Sequence, residues 1–442
     1  MTDTTKLPKG GVNPPLELPG PRDPGIVNAA LPIRATIPLL QHAGRPAIRL
    51  VKPGDVVSEG MLVGKPDGPR SAAVHSSVPG VVAEIREITL ATGERCEALE
   101  IDLGGSFETS GKPRAPRPWE NLPRAVLLER IRSAGVVGLG GEGVPTHLKL
   151  APAAAGSCSL LAANGLDCEP SLGADDALLR EKPAEIVEGL RICQLLLSPA
   201  RTVLAVGERS ADLVLELERL ARRAGMNVEV AALPARYPQG HEQLVVAALD
   251  GRRPGSDPSS VALNVATLLA VYEAVALEKP LIERVVTVTG STVAQPRNLK
   301  VRLGTRLSDL LDECGGDLAG TGKVVMGGPM RGVSVASLDL PVTKRTLGIV
   351  TFSRVEARRP RETACIRCGS CIEVCPWGLQ PTRLFKLIRT GMEARAGEEG
   401  LARCTECGCC SYACPSRIPL SAVLGEGRRR ILGTGVGGGS NG

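Results

Sequence analysis

The chain has 442 residues, which at ~100–200 residues per domain predicts several domains. Apolar residues make up 43% and aromatic residues 2%, so the chain can bury sizeable cores but lacks the aromatic side chains of a base-stacking nucleic-acid surface. The net charge of +6 comes from residues 351–430, where 14 Lys or Arg outnumber 8 Asp or Glu. No apolar stretch approaches the ~18 residues of a spanning helix, and Met1–Lys6 lacks a secretory pattern. We therefore expect no nucleic-acid partner, and contact with a membrane only through partner proteins.

Short β-branched runs between turn residues follow a start that is rich in Pro and Gly. We expect residues 1–30 to be an extended N-terminal segment and residues 31–112 to form a small β-barrel. Gly54–Gly60 and Val78–Val82 resemble the half-repeats of biotinyl/lipoyl-type barrels. The sequence therefore predicts a barrel-sandwich domain with a structural role.

Strand-like and helix-like segments alternate beyond this barrel. Residues 159–163 and 202–206 are continuous apolar runs, as expected for buried parallel strands. Residues 184–197 and 211–224 carry apolar side chains at helical spacing. This alternation predicts a Rossmann-like α/β domain over residues 119–280.

Beyond residue 280 the sequence again has the pattern of short strands. Residues 284–289 and 299–303 read as strands and residues 307–314 as a short helix, which predicts a β-grasp module over residues 281–345. The last twelve residues, 431–442, are Gly-rich, which predicts a disordered tail.

Eight of the 14 cysteines form two identical motifs within residues 355–430, the region expected to form a helical, ferredoxin-like domain. Each motif reads Cys-x2-Cys-x2-Cys-x3-Cys-Pro. Three thiolates two residues apart can take three corners of an Fe4S4 cube, and the fourth cysteine reaches the other cluster. The predicted sets are Cys365, Cys368, Cys371 and Cys414 for one [4Fe-4S] cluster, and Cys404, Cys407, Cys410 and Cys375 for the other.

Zinc is the competing interpretation of these cysteines. Tetrahedral zinc also uses Cys-x2-Cys pairs, but it does not need four cysteines per motif, twice, each ending in Cys-Pro. Two [4Fe-4S] clusters are therefore favoured. Cys409 adjoins a ligand and is interpreted as a bystander.

A glycine-rich loop, with Gly138, Gly140, Gly141 and Gly143, precedes a predicted helix start. Glycines let backbone N–H groups approach a phosphate closely, and a helix N-terminus favours negative charge. The loop matches neither a P-loop nor a dinucleotide fingerprint, so a packing turn is an equal alternative from these residues alone.

Three polar segments follow the loop in the sequence. They are Asn164-Gly-Leu-Asp-Cys-Glu-Pro170, Tyr237-Pro-Gln-Gly-His-Glu-Gln243 and Asn264-Val-Ala-Thr267. In this order, and followed by the double cysteine motif, they resemble RnfC, a subunit of the ion-translocating Rnf (Rsx) electron-transport complex. They are also similar to the flavin subunit of respiratory NADH dehydrogenase.

The resemblance implies a non-covalent FMN site with NADH as substrate stacking over the flavin. In the related subunits the matching glycine loop and lysine surround the FMN, and the polar segments line the flavin, the nicotinamide and the phosphate end. Glu169 and Glu242 are expected to orient the nicotinamide. The implied cofactor-binding residues are Gly138, Gly140, Gly141, Gly143, Lys149, Asn164, Asp167, Glu169, Tyr237, Gly240, Glu242, Asn264 and Thr267.

Several residues depart from the family pattern: Val144 replaces an aromatic residue, Asp167 is one carbon shorter than the usual glutamate, and two further departures add titratable side chains. Glu142 stands where the loop usually has alanine, and His241 stands where glycine is usual. A flavin is nevertheless expected, because NADH gives up an electron pair whereas an Fe4S4 cluster accepts single electrons, and a flavin can do both.

We therefore expect a peripheral subunit of an ion-translocating oxidoreductase at the cytoplasmic face of the bacterial inner membrane. Its expected partners are an Fe–S subunit, integral membrane subunits and, indirectly, ferredoxin. One alternative is a soluble flavin and Fe–S reductase of cobalamin. Another is an electron-wire or scaffold subunit without nucleotide binding, which Glu142 and His241 keep open.

Overall fold

The computed structural model describes residues 9–14, 20–21, 25–107, 114–151, 158–167, 169–358 and 361–433. Of the predicted extended segment and the predicted tail, most residues lie outside these ranges. Within the described part of the N-terminal segment, residues 26–28 form a strand, β1 (Ile26–Asn28), which pairs with a sheet far along the sequence.

Antiparallel strands form the predicted barrel-sandwich. Two sheets, ordered β2-β8-β7-β4 and β3-β5-β6, enclose a core of alternating Val, Ile and Leu side chains. The strands are β2 (Arg34–Pro38), β3 (Ile48–Arg49), β4 (Val56–Val57), β5 (Leu62–Lys65), β6 (Val74–His75), β7 (Gly80–Thr89) and β8 (Arg95–Leu103).

A four-stranded, entirely parallel sheet follows, in the order β11-β10-β9-β12. Its strands are nearly continuous apolar runs because helices cover the sheet. The strands are β9 (Leu160–Gly165), β10 (Arg201–Gly207), β11 (Glu229–Leu233) and β12 (Val261–Asn264). The helices are α1 (Arg124–Ser133), α2 (Thr146–Leu150), α3 (Ala174–Glu181), α4 (Pro183–Leu197), α5 (Val214–Arg223), α6 (Glu242–Asp250) and α7 (Val265–Ala276).

A six-stranded mixed sheet, in the order β1-β14-β13-β17-β15-β16, packs on one helix. It extends to residue 353, beyond the expected end at 345, and it includes β1 from the N-terminal segment. The elements are β13 (Glu283–Gly290), β14 (Arg297–Arg302), α8 (Leu307–Glu313), β15 (Thr321–Met326), β16 (Val333–Val335) and β17 (Gly348–Ser353).

Short helices make up the cysteine-rich region. Two one-turn helices carry the third cysteine of each motif, and longer helices pack between and beside them. The helices are α9 (Ser370–Glu373), α10 (Pro381–Arg389), α11 (Glu393–Glu398), α12 (Cys409–Tyr412) and α13 (Leu420–Ile431). The predicted fold class, an α/β protein with small β modules and a helical cysteine-rich region, is confirmed.

A buried lysine joins the first three units. Lys344 follows β16 and is fully buried, and its Nζ donates to the backbone carbonyls of Ala73 in the barrel at 2.7 Å and Gly135 after α1 at 2.8 Å. Burial lowers the pKa of Lys344 from its ordinary 10.5 to about 7. The contact fixes the barrel, the parallel sheet and the mixed sheet around one point.

Candidate functional site

Two buried asparagines lie side by side at the carboxyl edge of the parallel sheet. Asn164 in β9 is in register with Asn264, the last residue of β12. Nδ2 of Asn164 donates to the backbone carbonyl of Gly240 at 2.8 Å, and Nδ2 of Asn264 donates to Asp175 at 2.7 Å. Ligands of open α/β sheets bind beyond the carboxyl ends of the strands. The asparagines therefore hold together the segments that surround such a position.

The glycine-rich loop closes as a hairpin over residues 137–145. The N–H of Gly138 donates to the carbonyl of Val144 at 2.8 Å, and the N–H of Gly143 donates to the carbonyl of Gly138 at 3.1 Å. Gly141 and Gly143 adopt φ values of +101° and +70°, which favour glycine. The helix after the loop, α2, spans only Thr146–Leu150.

One side chain of the same unit and one of the mixed-sheet unit hold the loop from behind. Thr267 on α7 accepts a hydrogen bond from the N–H of Leu139 at 2.9 Å. The fully buried Arg284 of β13 donates to the carbonyl of Leu139 at 3.2 Å. Burial lowers the pKa of Arg284 to about 10, and the nearby charge of Asp175 raises it. The loop is therefore positioned by the fold.

A small cavity of about 20 Å³ lies between the loop and the strand ends. Added methyl groups at Gly138 and Gly140 would come no closer than 3.7 and 3.5 Å to any neighbour, which are ordinary contacts. The two glycines thus leave space that a larger residue would take. The lining residues are Gly138, Gly140, Glu142, Asn164, Gly240, His241, Glu242, Asn264 and Arg331.

Lys149 and Glu242, both implied by the resemblance, form an ion pair. Their charged atoms are 2.5 Å apart, and both side chains are largely buried. Burial raises the pKa of Glu242, and the charge of Lys149 opposes that shift. The lysine on α2 is therefore held at the start of α6, beside the cavity.

Two of the residues that depart from the family pattern, Glu142 and His241, face each other. Nε2 of His241 lies 3.7 Å from Oε1 of Glu142, and the imidazole ring meets the Trp377 ring edge-on with centroids 5.3 Å apart. Burial lowers the pKa of His241 to about 4, although Glu142 acts to raise it. Glu142 is therefore directed toward a histidine at one side of the cavity.

Glu169 is buried and already hydrogen-bonded. Its two carboxylate oxygens accept from the backbone N–H groups of Met330 at 2.9 Å and Arg331 at 3.1 Å. Burial raises the pKa of Glu169 to about 7 despite these bonds. The carboxylate thus anchors the turn between β15 and β16 against the edge of the parallel sheet.

Asp167 and Tyr237 line a wider cleft of about 720 Å³ that also borders Glu169 and Gly240. Asp167 is open to solvent at the cleft but closely surrounded by protein, and this desolvation, together with the charge of Asp175, raises its pKa. Its neighbour Cys168 lies outside the described residues. The predicted residues therefore divide between this cleft and the smaller cavity.

Arg331 is a site residue that the sequence patterns did not reveal. It lines the small cavity, and it also lines a third cavity of about 210 Å³ together with Gly140, Gly141 and Glu169. Its charge lowers the pKa of Glu169 and of His241. Residues 327–331 read Gly-Gly-Pro-Met-Arg, a second pair of glycines close to a cation. This pattern was the sequence signal from which Arg331 could have been predicted.

The second cysteine set is gathered as the crossed assignment requires. Burial and then the charges of Cys407, Cys404 and Cys375 raise the pKa of Cys410. Burial raises the pKa of Cys404 to about 11, and Cys407 and Cys375 act in the same direction. Cys375, the last cysteine of the first motif, thus lies among the cysteines of the second.

In the first set, the last cysteine of the second motif lies near cysteines of the first motif. Burial raises the pKa of Cys371, and the charges of Cys414 and Cys368 add to this. Cys414 and Cys371 are buried, whereas Cys365 and Cys368 are exposed. The first set is therefore close to the surface. Among the described residues, no three His, Cys, Asp or Glu side chains converge to bind a single metal ion.

The two motifs have the same backbone. Gly369 and Gly408, one residue after the second cysteine of each motif, have φ values of +83° and +82°, and Arg367 and Glu406 have φ values of +57° and +55°. Each glycine begins a one-turn helix that carries the third cysteine. Two equivalent loops therefore present their thiols in the same way, as a pair of clusters of one type requires.

The second cysteine set contacts the parallel-sheet unit directly. The hydroxyl of Tyr237 donates to the carbonyl of Cys407 at 2.6 Å. Trp377, two residues after Cys375, lies between the cysteine-rich region and His241. His241, which lines the cavity, and Trp377, which packs in the same cluster as Cys404, thus connect the cavity with the second cysteine set.

The N-terminal segment crosses the same junction. The N–H of Gly11 donates to the carbonyl of Val374 at 2.9 Å, and Val12 exchanges two backbone hydrogen bonds with Tyr237. A side chain on Gly10 would place its first carbon 2.8 Å from the carbonyl of Cys375. Glycine is therefore required where this segment passes the cysteine motif.

Family models match successive parts of the chain. They are the RnfC barrel sandwich hybrid domain at residues 7–106, the Nuo51 FMN-binding domain at 131–273, the SLBB domain at 285–334 and the 4Fe-4S dicluster domain at 362–418. The glycine loop and the polar segments fall within the FMN-binding match, and all eight motif cysteines fall within the dicluster match.

Curated relatives match most of this chain. The matching subunit of the proton-translocating ferredoxin:NAD(+) oxidoreductase complex of Clostridium ljungdahlii is 34% identical over 88% of this chain and 86% of its own. The chain belongs to this family, RnfC. The Na(+)-translocating counterpart from Acetobacterium woodii is 33% identical over 87% of this chain and 88% of its own. The counterpart in the ion-translocating oxidoreductase complex of Pasteurella multocida is 36% identical over 96% of this chain but only 51% of its own.

A solved structure shares the fold. A chain of an NAD+-reducing [NiFe]-hydrogenase in the H2-reduced state covers 72% of this chain and 62% of its own, with a TM-score of 0.51 and 18% identity. Within the part of this RnfC protein that the structure describes, no helix has the length and apolar character needed to cross a bilayer. The chain is thus an oxidoreductase subunit with FMN-binding and 4Fe-4S domains.

Proposed function

We propose that this RnfC protein exchanges electrons between NAD(H), FMN and two [4Fe-4S] clusters, and passes them to or from ferredoxin-linked partner subunits. The observation that carries the proposal is the junction at Tyr237. This residue borders the wider cleft, which shares Gly240 with the cavity beside the glycine loop, and it bonds to Cys407, so the proposed nucleotide site and a cysteine set share one side chain.

The residues present fit an FMN. Gly138 and Gly140 leave space beside the strand ends, and Lys149 and Arg331 bring positive charge to that edge. We propose that the flavin is held by the residues that the resemblance implies, with Arg331 added. When bound, the flavin would supply the exchange between electron pairs and single electrons.

The acidic residues have separate roles in this proposal. Glu242, paired with Lys149, stands at the start of α6 on the cavity wall and would orient the nicotinamide. Glu169 would do so from the cleft side while it holds the turn that carries Arg331. No general acid or base is required, because hydride transfer moves no separate proton.

The two cysteine sets would occupy different positions along the path of electron transfer. Cys407 and Cys404 are buried next to the flavin side, whereas Cys365 and Cys368 of the other set are exposed. We propose that the buried cluster exchanges electrons with the flavin and that the exposed cluster meets the partner subunit. The basic excess of residues 351–430 would favour an acidic partner surface.

The chain would lie at the cytoplasmic face of the bacterial inner membrane. Its relatives are named as subunits of ion-translocating complexes. We propose that an Fe–S subunit and integral membrane subunits hold it there. Co-purification with membranes, lost when the membrane subunits are deleted, would support this placement and exclude a soluble cobalamin reductase.

The deciding experiment adds NADH to the reconstituted protein without oxygen. We expect about eight iron atoms per chain, one FMN, and bleaching of the flavin followed by reduction of the clusters. The matched variants are Glu242→Ala, in the cavity, and Glu216→Ala, on the surface of α5. The first should slow flavin bleaching at least tenfold and the second should leave it unchanged. Full iron without FMN binding would instead support the scaffold alternative, which the carboxylate of Glu142 in the cavity favours.

A further inference from the structure

His241 has a ring nitrogen without a partner. Its side chain is 8% exposed, and Nδ1 has no hydrogen-bond partner among the described residues. A buried polar atom left unpaired destabilises the folded protein. The residue lines the small cavity next to Gly240 and the glycine loop. An unpaired nitrogen at such a position indicates a ligand atom that completes it.

The neighbours of the ring determine what Nδ1 can do. Oε1 of Glu142 lies 3.7 Å from Nε2, so its negative charge favours the tautomer with the proton on Nε2. Burial keeps the ring neutral at pH 7, because it lowers the pKa of His241 to about 4. In that tautomer Nδ1 carries a lone pair and accepts a hydrogen bond.

We propose that His241 supplies the flavin site with a hydrogen-bond acceptor, Nδ1, which Glu142 keeps unprotonated by holding the proton on Nε2. The ligand group would be a donor of FMN, either a ribityl hydroxyl or the ring N–H. This inference rests on the proposed function, since it places one donor group of FMN at the small cavity. It makes Glu142 and His241, two of the departures from the family pattern, a coupled pair that gains one contact with the flavin.

Trp377 fixes the plane of the ring. The two rings meet edge-on, and the N–H of Trp377 is bound to Thr405 at 2.8 Å. The backbone N–H of His241 donates to the carbonyl of Pro238 at 2.9 Å. The imidazole is therefore held on both sides before any ligand arrives, so little ordering is needed for Nδ1 to accept.

Two conservative variants distinguish the loss of the acceptor atom from the loss of the imidazole ring. Asparagine can place an amide oxygen where Nδ1 lies, whereas glutamine places its amide nearer to the Nε2 position. We expect His241→Asn to bind FMN within about threefold of the wild type and His241→Gln to bind about tenfold more weakly, because one hydrogen bond contributes about 1.4 kcal/mol. The readout is quenching of FMN fluorescence on titration into flavin-free protein that retains its clusters, and the control is His147→Gln.

Two further arms complete the test. Glu142→Gln should also weaken FMN binding about tenfold, because an amide can donate to Nε2 and so move the ring proton to Nδ1. Lumiflavin, which lacks the ribityl chain, should lose affinity in His241→Gln if the donor is the ring N–H, and should be unaffected if the donor is a ribityl hydroxyl.

Equal affinities for His241→Asn and His241→Gln, whether both at the wild-type value or both reduced, would overturn this inference and leave the proposed function standing. Equal reductions would assign His241 a packing role against Trp377. Failure of the wild type to bind FMN would overturn both proposals together.

Discussion

The hydroxyl of Tyr237 donates to the backbone carbonyl of Cys407 at 2.6 Å. The tyrosine is buried, and its backbone is bound to Val12 of the N-terminal segment. One side chain therefore connects the proposed nucleotide cleft with the proposed cluster loop.

Tyr237→Phe removes this connection and leaves the carbonyl of Cys407 unpaired. Such a buried group costs about 1–3 kcal/mol. We expect the thermal midpoint of the cysteine-rich region to fall by at least roughly 2–4 °C, measured by the loss of cluster absorbance on heating without oxygen. Tyr272→Phe on α7 is the control and should match the wild type. Equal midpoints for the two variants would show that the contact contributes nothing to stability.

The crossed ligand sets predict which cluster each variant loses. Cys414→Ser should lose the exposed cluster and Cys375→Ser the buried one, each retaining about half of the iron. Ferricyanide oxidises exposed clusters first, so the wild type should bleach in two phases, and Cys414→Ser should lack the fast phase. Loss of the fast phase in Cys375→Ser would show that each motif holds its own cluster.

Cys409→Ala is the control for this series. Cys409 is buried between the ligands Cys407 and Cys410, but it belongs to neither predicted set. The variant should retain both phases and all of its iron. Loss of iron in this variant would make Cys409 a ligand.

The glycine loop predicts a variant that affects binding without affecting folding. A methyl group on Gly140 would meet Asn264 at an ordinary 3.5 Å, but it would project into the cavity. We expect Gly140→Ala to keep the wild-type thermal midpoint and its clusters while FMN binds more than tenfold more weakly. Gly104→Ala, with no neighbour within 4 Å, is the matched control. Unchanged FMN affinity in Gly140→Ala would place the flavin elsewhere.

Lys344 predicts a pH dependence of stability. Its pKa is about 7 in the folded protein because of burial, and near 10.5 when exposed, so the unfolded chain binds the extra proton between these values. Stability should therefore rise with pH across that window, by up to about 1.4 kcal/mol per pH unit. Lys344→Met should lack this rise, seen as thermal midpoints from pH 7.5 to 9.5 that climb less than those of the wild type. The exposed Lys52→Met should follow the wild type, and parallel curves for both variants would contradict this assignment.

The sequence predicted those features whose signals are local. Apolar runs located β9, β10 and α4 nearly to the residue. Cysteine spacing predicted the crossed sets, which stay a prediction. The sequence revealed the glycine loop and the asparagines at the strand ends, because turns and strand ends are recognised from a few consecutive residues.

Features formed by distant segments were not predicted. Arg331 reaches the cavity only because Glu169 binds the turn that carries it. β1 joins a sheet through pairing with β14, more than 260 residues away, which no periodicity within residues 26–28 could indicate. Lys344 reads as a surface cation, and its burial depends on carbonyls from two other units. The site-residue roles and the domain bounds remain predictions for the experiments above.

The passage of Gly10 and Gly11 between Cys375 and Tyr237 has a consequence for biosynthesis. Gly10 and Gly11 can reach their final position only after residues near 375 have been made, since they contact them. This part of the N-terminal segment is therefore fixed late in synthesis. A reporter fused ahead of Gly10 should sense completion of the cysteine-rich region, and truncating the chain before that region should abolish the contact.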